Sequence, residues 1–327
     1  MYTTRFIRLK YLLPSTFYTI FIPLISSIFV YIVYVKFGYR NIAIPILPIT
    51  LIGTAVSFYV GFKNNSSYDR MWEARRIWGG IVNSSRMWGS MVLQLVKDRE
   101  KAHKLIHRHI AWCNMLRLQL RKNKVWAEGY YQRYASPLQR RGGESFEQKA
   151  ERILSKYLTD KDYERIKKKG NIASYLLHIQ NEDMKVLKEN GVIDAMEYMT
   201  ICNIIQDLYN HQGGCERIKN YPFPRQYAVF SRLFVDIFMF ILPFGLINGI
   251  TNLSPSAPWL LIPACLIVAW IFNAMEHVGD FSENPFENAV TDIPMSAMCR
   301  SIAIDLQELM DQQEVQEKLT PINGILM

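Results

Sequence analysis

The sequence predicts an all-α membrane protein, with four transmembrane helices per subunit that continue into a helical cytosolic region. Three observations predict it. Residues 11–35, 41–62 and 237–275 contain no Asp, Glu, Lys or Arg, although a fifth of the 327 residues is charged. A helix needs roughly 20 apolar residues to cross about 30 Å of hydrocarbon, so the first two runs suffice for one crossing each and the third for two. The long segment between them carries apolar residues at helical spacing and almost no strand signal. Intrinsic disorder is excluded by 18 Tyr, 17 Phe and 7 Trp. Five scattered cysteines without CxxC or CxxxC pairs exclude a disulfide scaffold and a structural zinc site.

Taken in order, the first crossing occupies about 11–35. Arg5, Arg8 and Lys10 ahead of it imitate a signal peptide, but the apolar stretch is too long and no small-x-small cleavage site follows. The second crossing covers about 43–63. No Pro interrupts 49–136, so this helix is expected to run on into the cytosol. Met71, Trp72, Ile77, Trp78, Ile81, Val82, Trp88, Val92 and Leu95 keep its helical spacing, and 100–122 continue the pattern. Residues 137–145 read as a loop. Helices are expected near 146–158, 160–169, 172–189 and 192–211, the last stopped by Gly213 and Gly214. The turn-rich stretch 248–258 splits the final apolar run into crossings at about 228–248 and 258–276. The cytosolic region is then about 64–225 and 277–327, and membrane and cytosolic helices are expected to form one body.

Charge sets the orientation. Arg5, Arg8, Lys10, Lys63, Arg70, Arg75, Arg76, Arg225 and Arg232 flank the crossings on one side. The loops on the other side hold only Lys36 and Arg40. The positive-inside rule places both termini and the middle segment in the cytosol. The 31 basic and 19 acidic residues of 63–236 make that segment strongly cationic. No aromatic-basic module or zinc-knuckle spacing accompanies them, so nucleic acid is not an expected partner. Anionic lipid and permeating anions suit the charge better.

Two stretches carry a family signature: GFKNNSSYDRMWEARRIWGGIVNSSR at 61–86 and CERIKNYPFPRQYAVFSRLFVDIFMFILPF at 215–244. With four crossings around a helical middle, they resemble the bestrophin family, particularly its bacterial members. The overall pattern spans about 1–310, and 1–327 is expected to be a single bestrophin-like channel domain. The resemblance implies a homopentameric ion channel with one central pore. In that family the second helix lines a narrow neck, and an aperture lies at the cytosolic end. Carried over by position, the neck falls on Thr54, Phe58 and Phe62 and the aperture on Met199. The first neck position is usually aliphatic, so Thr54 departs from the pattern. The residues themselves agree, because Thr50, Thr54, Ser57, Phe58, Gly61 and Phe62 share one broad helical face. Two stacked aromatic rings could gate by dewetting. The competing reading makes the small residues helix-packing positions and the Phe residues lipid-facing filler.

Eukaryotic members of the family bind Ca²⁺ through an acidic run after an Asn-Pro-Phe. Here Asn284, Pro285 and Phe286 match but the dense run is missing. Asp280, Glu283, Glu287 and Asp292 are the carboxylates left for a weak Ca²⁺ site; otherwise they are solvated or salt-bridged, and no cofactor is required. Asp69, Arg70, Glu73, Arg75 and Arg76 either ring a vestibule or pair along and between helices. His103 and His107 are spaced as a metal pair, but Lys101, Lys104 and Arg108 surround them and would repel a cation. No phosphate loop, GxSxG elbow or HExxH motif occurs. The function expected is a channel for small monovalent ions, leaning to chloride. A cation channel of the same architecture is the alternative, ahead of a membrane scaffold or an enzyme. The subunit's partners are its own copies, lipid and the permeant ions.

Overall fold

The computed structural model describes residues 1, 3, 20–122 and 144–326. They fall into two compact units. The first five helices in chain order are α1 (Phe21–Tyr31), α2 (Ile46–Leu95), α3 (Arg99–Leu120), α4 (Phe146–Tyr157) and α5 (Asp160–Ile166). They are followed by α6 (Ile172–Glu189), α7 (Ala195–Asn220), α8 (Arg225–Leu253), α9 (Leu261–Ser282) and α10 (Met295–Leu309). One unit comprises Arg5–Arg70 and Pro222–Asn284; the other comprises Met1–Thr4, Met71–Tyr221 and Pro285–Met327.

The first unit holds the apolar helices. Three stretches are long and apolar enough to cross a membrane: Arg40–Leu95, Arg225–Leu253 and Pro258–Ser282. A shorter apolar helix, Phe21–Lys36, accounts for the described part of the first predicted crossing, whose residues 11–19 lie outside the described residues. It ends in a π turn over Ile32–Lys36. The unit's core gathers Val30, Val56, Val60, Phe238, Leu242 and Cys265 from all four helices. Gly53 lets α2 and α8 close up, since a Cβ there would lie 2.8 Å from the Phe238 ring. The turn expected from 248 begins only after Leu253. Asn248 and Thr251, read as turn formers, are satisfied inside the helix. Asn248 Oδ1 accepts from the Tyr34 hydroxyl at 2.7 Å, and Thr251 Oγ1 donates to the Ile247 carbonyl at 2.8 Å.

As the absence of Pro after position 48 predicts, α2 continues through 50 residues, with Pro48 in its first turn where no N–H is needed. The second unit's core is built around Trp78, Trp88 and Trp112, all fully buried. Side-chain caps fix where its helices begin. Asp98 accepts from the N–H groups of Glu100 and Lys101, and Ser145–Gln148 and Asp194–Glu197 form capping boxes. Burial pushes His109 down to about 3, so it stays neutral beside Ser85 Oγ at 2.9 Å. One expected stop is corrected. The helix predicted over 192–211 spans Ala195–Asn220 and runs through Gly213 and Gly214. A Cβ on Gly214 would lie 2.9 Å from Ile77 Cδ1, so this glycine serves a close helix crossing rather than a terminus.

Candidate functional site

The face of α2 that the sequence singles out is bare in the single chain. Ile49, Val56, Val60 and Lys63 are buried on the opposite side. Thr50 and Thr54 are exposed, and Phe58 and Phe62, one turn apart, are 66% and 70% exposed. Their hydroxyl neighbours are turned inward. Thr50 Oγ1 donates to Ile46 O at 3.1 Å, Thr54 Oγ1 to Thr50 O at 2.9 Å and Ser57 Oγ to Gly53 O at 2.8 Å. The donors are spent on the helix's own backbone, so these hydroxyls remain only as acceptors. The departure from an aliphatic neck is thereby smaller than the residue type suggests.

Behind this face Tyr59 stacks on Tyr227 with centroids 6.1 Å apart and meets Phe234 edge-on at 5.3 Å. Phe62, Ser66, Arg70, Phe223 and Pro224 border a cavity of about 510 Å³ beside it. Sequence spacing missed what holds α2 in this rotation. Lys63 Nζ lies 2.6 Å from Glu276 Oε1, both side chains 1% exposed, and is also paired with Asp280. Ser231 Oγ donates to Glu276 Oε2 at 2.6 Å, so one buried cluster ties α2, α8 and α9 together. A signal was present: Lys63 and Glu276 are the first charges after two long apolar runs.

In the second unit, Met199 lies in the first part of α7 and is 56% exposed. Exposed Asn203, Gln206 and Asn210 continue its stripe. Of the charges past the second crossing, Glu73 pairs with Arg217 rather than with Arg76. In the first unit, Arg70 Nε donates to the Glu283 carbonyl at 3.0 Å. His107 Nε2 lies 3.2 Å from Gln312 Nε2.

Residues 6–308 match the family described as bacterial/fungal bestrophin protein. The chain belongs to that family. Its fold superposes with a TM-score of 0.76 on a bacterial bestrophin homologue from Klebsiella pneumoniae, at 22% identity over 91% of this chain and 99% of that one. A single-site variant of the same homologue gives 0.78. The voltage-dependent anion channel-forming protein YneE of Escherichia coli is 26% identical over 87% of this chain and 83% of its own length. A voltage-dependent anion channel-forming protein of Ralstonia nicotianae is 26% identical over 95% and 90% respectively.

The bestrophin resemblance raises the question of calcium, and the donor set does not fit the ion. Asp280 is held by Lys63, and Glu283 lies 3.6 Å from Arg225. In the other unit Glu287 is 2.5 Å from Lys219. Asp292 is buried and accepts from the Ala289 N–H at 2.9 Å. Burial pushes Asp292 up to about 7. Among the described residues no three His, Cys, Asp or Glu side chains gather as metal ligands, whereas calcium takes six to eight oxygens.

Proposed function

We propose that this chain is one subunit of a homopentameric bestrophin channel that passes small monovalent anions, chloride above all, through an apolar neck. The observation that carries the reading is the bare face of α2. Phe58 and Phe62 sit exposed one turn apart at the end of an apolar helix, where a single chain gives them nothing to cover. Five copies around an axis would stack two aromatic rings below Thr54, and an ion would shed part of its water there. Ring edges carry partial positive charge and can face an anion. Channel-forming names among the relatives favour a channel over an enzyme and an anion over a cation. Met199 supplies the second constriction. The cationic middle segment raises the anion concentration at the cytosolic entrance. Basic residues flanking the crossings favour cytosolic termini, and in a bacterial cell the membrane is the cytoplasmic (inner) one. No resident cofactor is needed.

The test is a reversal potential, with purified protein in a planar bilayer under a KCl gradient. A reversal near the chloride potential that moves on anion replacement is the expected result. A reversal near the potassium potential would make the channel cation-selective. Phe58→Ala and Phe62→Ala should each change conductance or selectivity, whereas Lys168→Ala in the exposed turn after α5 should not. Unchanged currents in both Phe variants would remove the neck assignment.

A further inference from the structure

The second unit contains a cavity of about 350 Å³ whose walls include four cationic side chains, Arg117, Arg152, Lys156 and Arg300, and no carboxylate. The residues come from α3, α4 and α10, up to 183 positions apart, so no linear motif announces them. At one wall two guanidiniums converge on a single hydroxyl. Arg117 Nη1 and Arg121 Nη1, one helical turn apart, donate to Ser296 Oγ at 3.1 and 2.8 Å. Ser296 stands in the first turn of the 15-residue α10, where the helix dipole adds positive potential.

The donors are more numerous than their acceptors. Arg117 Nε and Arg121 Nε and Nη2 are buried without a hydrogen-bond partner. Burial and the neighbouring Arg117 push Arg121 down to about 10, against the pull of Asp292 and the Cys299 side chain. Elsewhere in the unit such crowding is relieved by acids. Arg108, whose side chain is fully buried, takes Asp162 at 2.7 Å and Asp183 at 2.5 Å. The nearest compensations around the cavity are weaker. Arg152 shares an exposed pair with Glu144 at 3.0 Å, and Arg300 Nη1 donates to the Glu317 backbone carbonyl at 3.0 Å. Arg117 and Arg121 thus keep buried donor atoms without an acceptor at one wall of an open space whose other cations, Arg152 and Lys156, are exposed, an arrangement that suits an anion.

We propose that this cavity binds a multiply charged phosphate-bearing anion, a di- or triphosphate group, through Arg117, Arg152, Lys156, Arg300 and the hydroxyl of Ser296. A single chloride would leave most of the charge unmatched. Planar guanidinium forks fit the oxygens of a phosphate, and a lysine adds a point charge. The volume lies within the range of small-molecule sites. Tyr157, Ile153 and Leu319 add apolar wall beside the cations, which could seat an organic group attached to the phosphates. The proposal concerns the second unit alone and stands whether or not the chain conducts.

Isothermal titration calorimetry on the purified full chain in detergent tests it, with inorganic pyrophosphate and ADP as separate probes. Saturable binding of pyrophosphate near one per subunit, weakening as salt rises, is the expected result. The exposed-site double variant Arg152→Gln/Lys156→Gln should weaken it about tenfold or more, since hydrogen bonds to charged groups are worth that factor each. Lys168→Gln should leave it unchanged, and melting curves establish that the variants are folded. Tighter binding of ADP would place the nucleoside on the apolar wall, and equal binding would mean the phosphates alone are recognised. No saturable heat with either probe at millimolar concentration, or undiminished binding in the folded double variant, would overturn the proposal.

Discussion

An ammonium with no water around it needs its counter-charges at close range, and Lys63 shows the consequence. Glu276 and Asp280 hold it, and Ser231 holds Glu276 in turn. Breaking a buried pair by removing one partner costs about 3–5 kcal/mol, because the other charge is left stranded. Lys63→Met should therefore lower the unfolding temperature of the detergent-purified protein strongly, and Glu276→Gln in the same background should recover part of the loss. An equal loss in both would mean that Lys63 acts by packing its stem and not by charge. Asp292 makes a second case, of opposite kind. Burial raises its carboxyl to about 7 from an ordinary 3.8, with Glu287 adding to the rise. Between those two values the folded chain holds a proton that the unfolded chain has lost, so stability falls as pH rises through the window. The effect is on the order of 4 kcal/mol. Asp292→Asn keeps an acceptor for the Ala289 N–H and should be more stable than the parent at pH 8, with no gain at pH 3.5. Melting temperatures across that range decide it, and a variant less stable than the parent at pH 8 would show that the carboxylate is stabilised there.

Two adjacent glycines in α7 separate helix propensity from helix packing. A Cβ on Gly213 meets nothing within 4 Å, whereas one on Gly214 meets Ile77. Gly213→Ala should stabilise by about 0.5–1 kcal/mol through backbone entropy alone. Gly214→Val should destabilise by about 1–3 kcal/mol, the usual cost of overpacking. Equal shifts in thermal unfolding for the two variants would refute the crossing. The same pair shows what the sequence could and could not say. Apolar periodicity and capping residues located Ile172–Glu189 without error and the start of Phe146–Tyr157. Gly-Gly and Asn-Gly were read as stops because local propensity favours that, but tertiary contacts decide whether a glycine ends a helix or lets a neighbour approach. Phe58 and Phe62 were legible because a helix face is a local property. The clamp on Lys63 and the cationic cavity were not, since their partners are brought together only by the fold.

In the proposed assembly the bare aromatic face of α2 lines a bore whose width depends on the number of copies. Helices are about 10 Å across with average side chains, so a closed ring of three leaves a central bore of about 1.5 Å, four about 4 Å and five about 7 Å. Three helices would leave no room for an ion. Five leave enough that inward Phe58 and Phe62 rings narrow the bore without sealing it. Apolar surface on this scale is not left to water. Leu47, Leu51, Phe58 and Phe62 are each at least 65% exposed along one helix, and what does not face lipid must face a copy or a lumen. Five copies of the 38.2 kDa chain come to about 191 kDa. Native mass spectrometry from mild detergent should find that mass as the main species. It should persist in Phe58→Ala, since the proposed neck has that residue face the lumen and not a neighbour. A monomer or dimer as the main species would leave Phe58 and Phe62 against lipid, and the pore would have to be sought on another face.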